Sequence, residues 1–410
     1  MAAPKLRFKE FDGDWSQSRI GEIFQVTSGS TPLRSDNRFF ENADIAWVKT
    51  TDLNNGLIEK TEEKISQIAL KETSVKILPK GTVFVAMYGG FNQIGRTGLL
   101  VDEAACNQAL SAIYPNEKIE SYFLLTFLNH KVDDWKNFAA SSRKDPNITK
   151  SDVLAFPLTY PVKEEQTKIA SFLSAVDEKI SQLNQKHELL SQYKQGMMQK
   201  LFSQQFRFKA DDGSEFGEWE NKALNTLCSR SYQGINTVAD KVEYQQSGYP
   251  ILQAKHITSE KLDLVDVRYL SDLDYEKYKE KYIPNVNDIL FSNIGTIGKV
   301  VLVDAENPFF IAWNIFLITP KETLITPLYL SSYLRWLTAL NYFDNLQTGN
   351  ATKFINKTDL LATVINLPCL AEQTKIANFL SAIDQKIEVV AQQIEQAKTW
   401  KKGLLQQMFV

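Results

Sequence analysis

Residues 166–180 read QTKIASFLSAVDEKI and residues 373–387 read QTKIANFLSAIDQKI, twelve of fifteen positions identical at an offset of 207 in a chain of 410 residues. The chain is therefore two copies of one unit, each closing on the same segment, and a repeat of this period governs every local assignment. The apolar matches fit a shared core. The polar ones, Gln166, Thr167, Lys168, Ser174, Asp177 and Lys179, recur as Gln373, Thr374, Lys375, Ser381, Asp384 and Lys386. Two readings compete: a duplication that drifted unevenly, or two copies of one face kept for two copies of one partner. The second makes Gln166, Lys168, Asp177, Gln373, Lys375 and Asp384 candidate partner-binding residues.

The repeat opens a heptad seam. Ile169, Leu173, Val176, Ile180, Leu183, His187, Leu190, Lys194, Met197 and Leu201 follow a 4,3 spacing, as do Ile376, Leu380, Ile383, Ile387, Val390, Ile394, Ala397, Lys401, Leu404 and Met408. Apolar positions sustained on that spacing predict two long coiled-coil helices. Pro161 and Pro368 stand upstream, with Glu164, Glu165 and Glu372 at the helix starts, where the dipole favours acids. Lys194 and Lys401 occupy the same seam position in both copies, where a charge fixes register. About 36 residues of helix make a rod of roughly 54 Å, and the simplest pairing is of one helix with the other.

The rest of each half follows one outline. LRFKEFDGDW (6–15) is echoed by FRFKADDGSEFGEW (206–219), and AWVKTTDL (46–53) by PILQAKHIT (250–258). GTVFVAMYGGFNQIGRTGLLVDE (81–103) is echoed by NDILFSNIGTIGKVVLVDA (287–305). The last pair are strand, Gly-rich turn, strand patterns, the first carrying three extra residues, with Gly89, Gly95, Gly295 and Gly298 as turn glycines. Asn107 is matched to Asn314 and read as structural. Basic, polar loops at 141–150 and 347–357 lead back to the helices. The expected division is 1–160 and 205–367 as recognition domains, with 161–204 and 368–410 as helices.

Composition excludes several classes. Apolar content of 43% and charged content of 23% are ordinary for a globular chain. No run of 18 apolar residues occurs and MAAPKLRF is no signal peptide, so a cytoplasmic protein without a membrane span is expected. Three scattered cysteines and three isolated histidines make neither a disulfide framework nor a metal site. Net charge of −3 lacks the basic footprint of a free-standing nucleic-acid binder. No phosphate-cradling GxxxxGK[ST] occurs, and NLPC at 366–369 falls short of the [N/D]PP[Y/F] loop that receives a flipped base.

The two EQTKIAxFLSAxDxKI helices, the WVKTTDL strand, the SNIGTIGKV hairpin and the duplicated layout together resemble the specificity subunit of type I restriction–modification enzymes, over essentially the whole chain. The resemblance implies an α/β (α+β) architecture: two mixed α/β target-recognition domains separated by two long antiparallel coiled-coil helices, with an internal pseudo-two-fold repeat. It implies that each domain reads half of a bipartite site on double-stranded DNA. Two methyltransferase subunits would grip the helices, and restriction (motor–nuclease) subunits would join them. It further implies no catalysis and no cofactor on this chain, with S-adenosylmethionine, ATP and magnesium on the partner subunits. Base edges are read by paired donors and acceptors, Arg or Lys to guanine and Asn or Gln to adenine. On that chemistry the candidates are Lys49, Thr50, Thr51, Tyr88, Asn92, Gln93, Arg96, Gln108, Arg143 and Lys144 in the first half. Those in the second are Gln253, Lys255, His256, Ser292, Asn293, Thr296, Lys299, Asn350 and Lys353. A coiled-coil scaffold whose globular ends bind proteins is the rival from another class.

Overall fold

The computed structural model describes residues 4–90, 92–139, 147–257, 261–304, 308–348 and 353–409. It forms two compact units, Met1–Gln185 with Ala391–Val410, and Lys186–Val390. This division cuts across the expected one. The long helices, Lys163–Phe202 and Leu370–Met408, are each shared between the two units. Each unit contains the opening half of one helix and the closing turns of the other, so the two run antiparallel.

The first unit is built on a five-stranded sheet in the order Val26–Ser28, Leu110–Ile113, Val83–Ala86, Thr97–Leu100, Gly56–Ile58. A three-stranded sheet sets Ile45–Val48 between Glu63–Ile65 and Ala105–Cys106. Ser16–Arg19 and Pro157–Tyr160 pair antiparallel just before the helix. The second unit repeats the plan. Its four-stranded sheet runs Cys228–Gln233, Ile315–Pro320, Ile289–Ser292, Val300–Leu302, and its three-stranded sheet sets Tyr249–Leu252 between Arg268–Leu270 and Phe310–Ile311. Glu220–Ala223 and Val364–Leu367 form its entry pair. The strands of VFVA and ILFS are buried on both faces, which is why they read as unbroken apolar runs rather than alternating ones.

Much of the heptad seam is buried, and each unit closes its core with the last turns of the helix that begins in the other sequence copy. Ile169, Leu173 and Val176 share one cluster with Leu404, Met408 and Phe409. Phe409 packs its ring against Trp15, Phe123 and Phe127. In the second unit Ile376 and Leu380 share a cluster with Met198, Leu201 and Phe202, and Phe202 packs against Tyr329, Tyr333 and Trp336. Toward its end the first helix buries Met198 in place of the expected Met197.

Many of the identical polar residues are engaged inside each unit, and the expectation that Gln166 and Gln373 meet a partner is corrected by their burial. Gln166 is 1% exposed; its amide donates to the carbonyls of Pro161 (2.9 Å) and Lys118 (3.2 Å), and its Oε1 accepts from Glu120 N–H (2.9 Å). Gln373 does the same with Pro368, Leu324 and Thr326 (2.9, 2.9 and 2.8 Å). Glu120 and Thr326 cap the short helices Ser121–His130 and Pro327–Ala339, so each glutamine ties the long helix to the cap of the helix beside it. A side chain so buried and so satisfied is not available to a partner. Asp177 pairs with Lys401 at 2.5 Å, and Asp384 with Lys194. Lys168 meets Glu10, and Lys375 meets Asp211 (2.6 Å) and the Lys209 carbonyl (2.7 Å). Lys179 and Lys386 are exposed, as are Thr167, Thr374 and Lys168.

Next to each glutamine sits a fully buried acid. Arg7 forks onto Glu165 (2.8 and 2.7 Å), and Arg207 onto Glu372 (3.0 and 2.8 Å), with Trp219 Nε1 adding a third bond at 2.9 Å. Hydrogen bonding to these carboxylates raises both guanidinium pKa values. Removing one partner of such a pair strands the other: Glu165→Ala or Glu372→Ala should cost about 3–5 kcal/mol in urea denaturation, and a loss under 1 kcal/mol would contradict the assignment. The Asp177–Lys401 contact should give a coupling of about 0.5–3 kcal/mol in a double-mutant cycle with alanine, and zero coupling would show that the pair does not set the helix register.

Candidate nucleic-acid interface

Backbone hydrogen bonds give the correspondence between the units directly. Gly29 lies so close to a neighbouring segment that a Cβ would stand 2.2 Å from Cys106 O and 2.3 Å from Asn107 O; at Gly234 the same atoms are Ile311 O and Ala312 O, at 2.3 and 2.4 Å. Only glycine fits at either place. Met87 N–H donates to Ala109 O and Ile148 N–H to Met87 O; Asn293 N–H donates to Asn314 O and Ile355 N–H to Asn293 O. Hence Met87 matches Asn293, Ala109 matches Asn314, and Ile148 matches Ile355. The pairing of Asn107 with Asn314 is corrected by two positions: Asn107 matches Ala312, and Gln108 matches Trp313. The hairpin tip does carry three extra residues in the first unit, since Gly95 N–H closes on Ala86 O and Gly298 N–H on Ser292 O.

In both units these bonds gather four segments at one edge: a short turn, the Gly-rich hairpin, the turn before the next core strand, and the end of the loop preceding the long helix. The short turns, Thr50–Asp52 and Ala254–His256, are built alike. Asp52 Oδ2 accepts from Lys49 N–H at 2.7 Å, and His256 Nδ1 from Gln253 N–H at 2.9 Å. Asn314 Oδ1 then fastens the second turn through Ala254 N–H at 3.1 Å.

Several expected reading residues are already occupied. Lys49 pairs with Glu62 (3.0 Å) and Glu63 (2.8 Å), and hydrogen bonding to Glu63 holds its pKa above the usual lysine value. Thr51 Oγ1 donates to Glu62 at 3.1 Å. Arg34 completes this neutralised network on Glu63 at 2.5 Å, and its hydrogen bond is the main cause of that carboxyl's lowered pKa. His256 is 2% exposed, and burial depresses its pKa; it caps its turn as a neutral acceptor. Ser292, wholly buried, accepts from Lys299 N–H at 2.8 Å and donates to Thr296 O at 2.5 Å, closing the hairpin. Asn293, 2% exposed, donates to Ile355 O at 3.3 Å. His256, Ser292 and Asn293 build the edge and do not face outward from it, while Lys49 and Thr51 are held by carboxylates. Lys299 lies at the hairpin base, lining a cavity of about 490 Å³ with His187, Lys194, Arg335 and Asp384.

What remains exposed is a different set. In the first unit Tyr88, Asn92 and Gln108 are exposed, with Thr50, Gln93 and Arg96 partly so; Gln108 accepts from Thr31 Oγ1. In the second, Lys255, Thr296 and Lys353 are exposed and Gln253 partly so. Lys255 Nζ reaches the Asp266 carbonyl at 3.3 Å. Arg143, Lys144 and Asn350 lie outside the described residues. Motif reading overlooked Trp313 and Phe354, both exposed on these segments, because neither belongs to the donor–acceptor types it sought. Among the described residues no cluster of three or more His, Cys, Asp or Glu could hold a metal, and no helix is long and apolar enough to cross a membrane.

The sequence matches the model of the type I restriction modification DNA specificity domain twice, over residues 12–192 and 217–399. A type I restriction enzyme specificity subunit (MjaVIII) of Methanocaldococcus jannaschii is 25% identical over 97% of this chain and 94% of its own. Another from the same organism (MjaIX) is 25% identical over 68% of each. The crystal structure of a type I restriction–modification S subunit from M. genitalium shares the fold, with a TM-score of 0.61 and 15% identity over 100% of this chain and 99% of that one. With both repeats matched and their fold shared end to end, the chain belongs to the type I restriction–modification DNA specificity family.

Proposed function

We propose that this specificity subunit reads a two-part asymmetric site on double-stranded DNA, one recognition domain to each half, and that its long helices recruit two methyltransferase subunits and, through them, restriction subunits. The observation that carries this reading is the pair of edges. One backbone scaffold, repeated down to individual hydrogen bonds, presents different side chains at matching positions, as expected where scaffold is shared and base contacts differ. A protein-binding scaffold is the less favoured reading, since the exposed edges carry amides, hydroxyls and lysines that suit base edges and phosphates. The exposed Lys179 and Lys386 are repeated positions open to a partner common to both helices. Methyl transfer and ATP-driven work, with S-adenosylmethionine, ATP and magnesium, belong in this reading to the partner subunits, and this chain is the non-catalytic reader.

Replacing residues 1–160 by the matching domain of another specificity subunit should change one half of the methylated motif and leave the other intact. Methylome sequencing of a strain carrying the hybrid tests this, and scrambling of both halves at once would refute independent reading. The cations should also separate. Lys353→Ala should lower the slope of log affinity against log salt by about one, as loss of a phosphate contact does. Lys49→Ala should leave the slope nearly unchanged, because Glu62 and Glu63 already neutralise that ammonium.

A further inference from the structure

Trp313 is 46% exposed and Phe354 38% exposed, while Trp47 and Trp135 are buried to 1% and 0%. Both exposed rings sit on fixed backbone. Trp313 N–H donates to Ile235 O at 2.8 Å, and the residue after it, Asn314, accepts from Asn293 N–H at 3.3 Å. Phe354 exchanges both backbone bonds with Thr348 (2.9 and 3.0 Å), and the residue after it, Ile355, donates to Asn293 O at 2.9 Å. Asn293 thus bonds through its backbone to both segments. Each ring is a partly exposed aromatic on a hydrogen-bonded backbone, with exposed Lys353 next to Phe354 in sequence, and offers an apolar face for contact with a ligand.

The matching positions of the first unit sharpen this. Trp313 corresponds to Gln108, and Phe354, preceding Ile355, corresponds to Asn147, preceding Ile148. Two amides, the side chains suited to adenine edges, are replaced by two aromatics that offer no paired donor and acceptor. The base feature an apolar side chain can distinguish in the major groove is the thymine 5-methyl group. Resting on the reading of this chain as a DNA specificity subunit, we propose that Trp313 and Phe354 are specificity-determining residues of the second domain. They contact thymine methyl groups in its half-site, at the places where the first domain uses Gln108 and Asn147.

The test uses the complete methyltransferase complex carrying this chain and duplexes containing its mapped site. Trp313→Gln and Phe354→Asn should each weaken binding about tenfold or more, with first half-site discrimination kept and the salt slope unchanged, because no phosphate contact is removed. Trp313→Phe should retain most of the affinity. With the wild-type complex, which needs no variant to fold, deoxyuridine in place of thymidine throughout the second half-site should give a comparable loss. A second half-site without thymine, or uracil tolerated there without loss, overturns the proposal, as do both amide variants binding like wild type. A wild-type complex that does not prefer its mapped site to random duplex overturns the specificity reading itself, a separate and recognisable result.

Discussion

A buried carboxylate at the first turn of each long helix is the contact on which the rest of this molecule depends. Glu165 and Glu372 are wholly buried, and an isolated buried charge is too costly to persist. Arg7 and Arg207 answer it with forked bonds from the segments that open each half. The adjacent Gln166 and Gln373 spend every amide bond on the entry loop and on the cap of the neighbouring helix. Chain entry, helix start and domain are thereby joined at one point, so the direction in which each helix leaves its domain is set by bonds that tolerate little change.

The same economy explains why the repeat kept its polar residues. A surface lysine or aspartate on a helix is readily replaced, yet Asp177 and Lys401, and Asp384 and Lys194, are each other's partners. Lys194 and Lys401 stand in the mostly apolar seam and Asp177 and Asp384 directly beside it, where the pairing of unlike charges selects one register among those an apolar stripe would allow. A change at any of the four would remove one of these ion pairs.

Freedom to diverge is concentrated where no such bonds reach. At the loop edges the backbone is conserved between the copies to the hydrogen bond, while Gln108 faces Trp313 in the correspondence and Asn147 faces Phe354. A reader of two unlike half-sites requires this combination: a rigid frame that positions, and side chains that vary without disturbing it.

The sequence by itself determined the duplication, the two long helices and their seam, and the hairpin of unequal length, because identical segments and a 3.5-residue period are local properties of a string. It also carried the family, through motifs recurring at both helices. What it left open was the use of each polar residue. Gln166 and Lys179 lie in one repeated segment, and only the folded chain makes the first a buried clamp and the second an exposed cation. Ser292, Asn293 and His256 have the chemistry of base readers, but strands distant in sequence close over them. Trp313 and Phe354 look like core and stand in water. The match of Asn107 to Asn314 failed for the same reason: spacing along a loop does not specify which carbonyl an N–H will meet. Burial and hydrogen-bond partners are decided by segments brought together from far along the chain, and tertiary structure alone decides them.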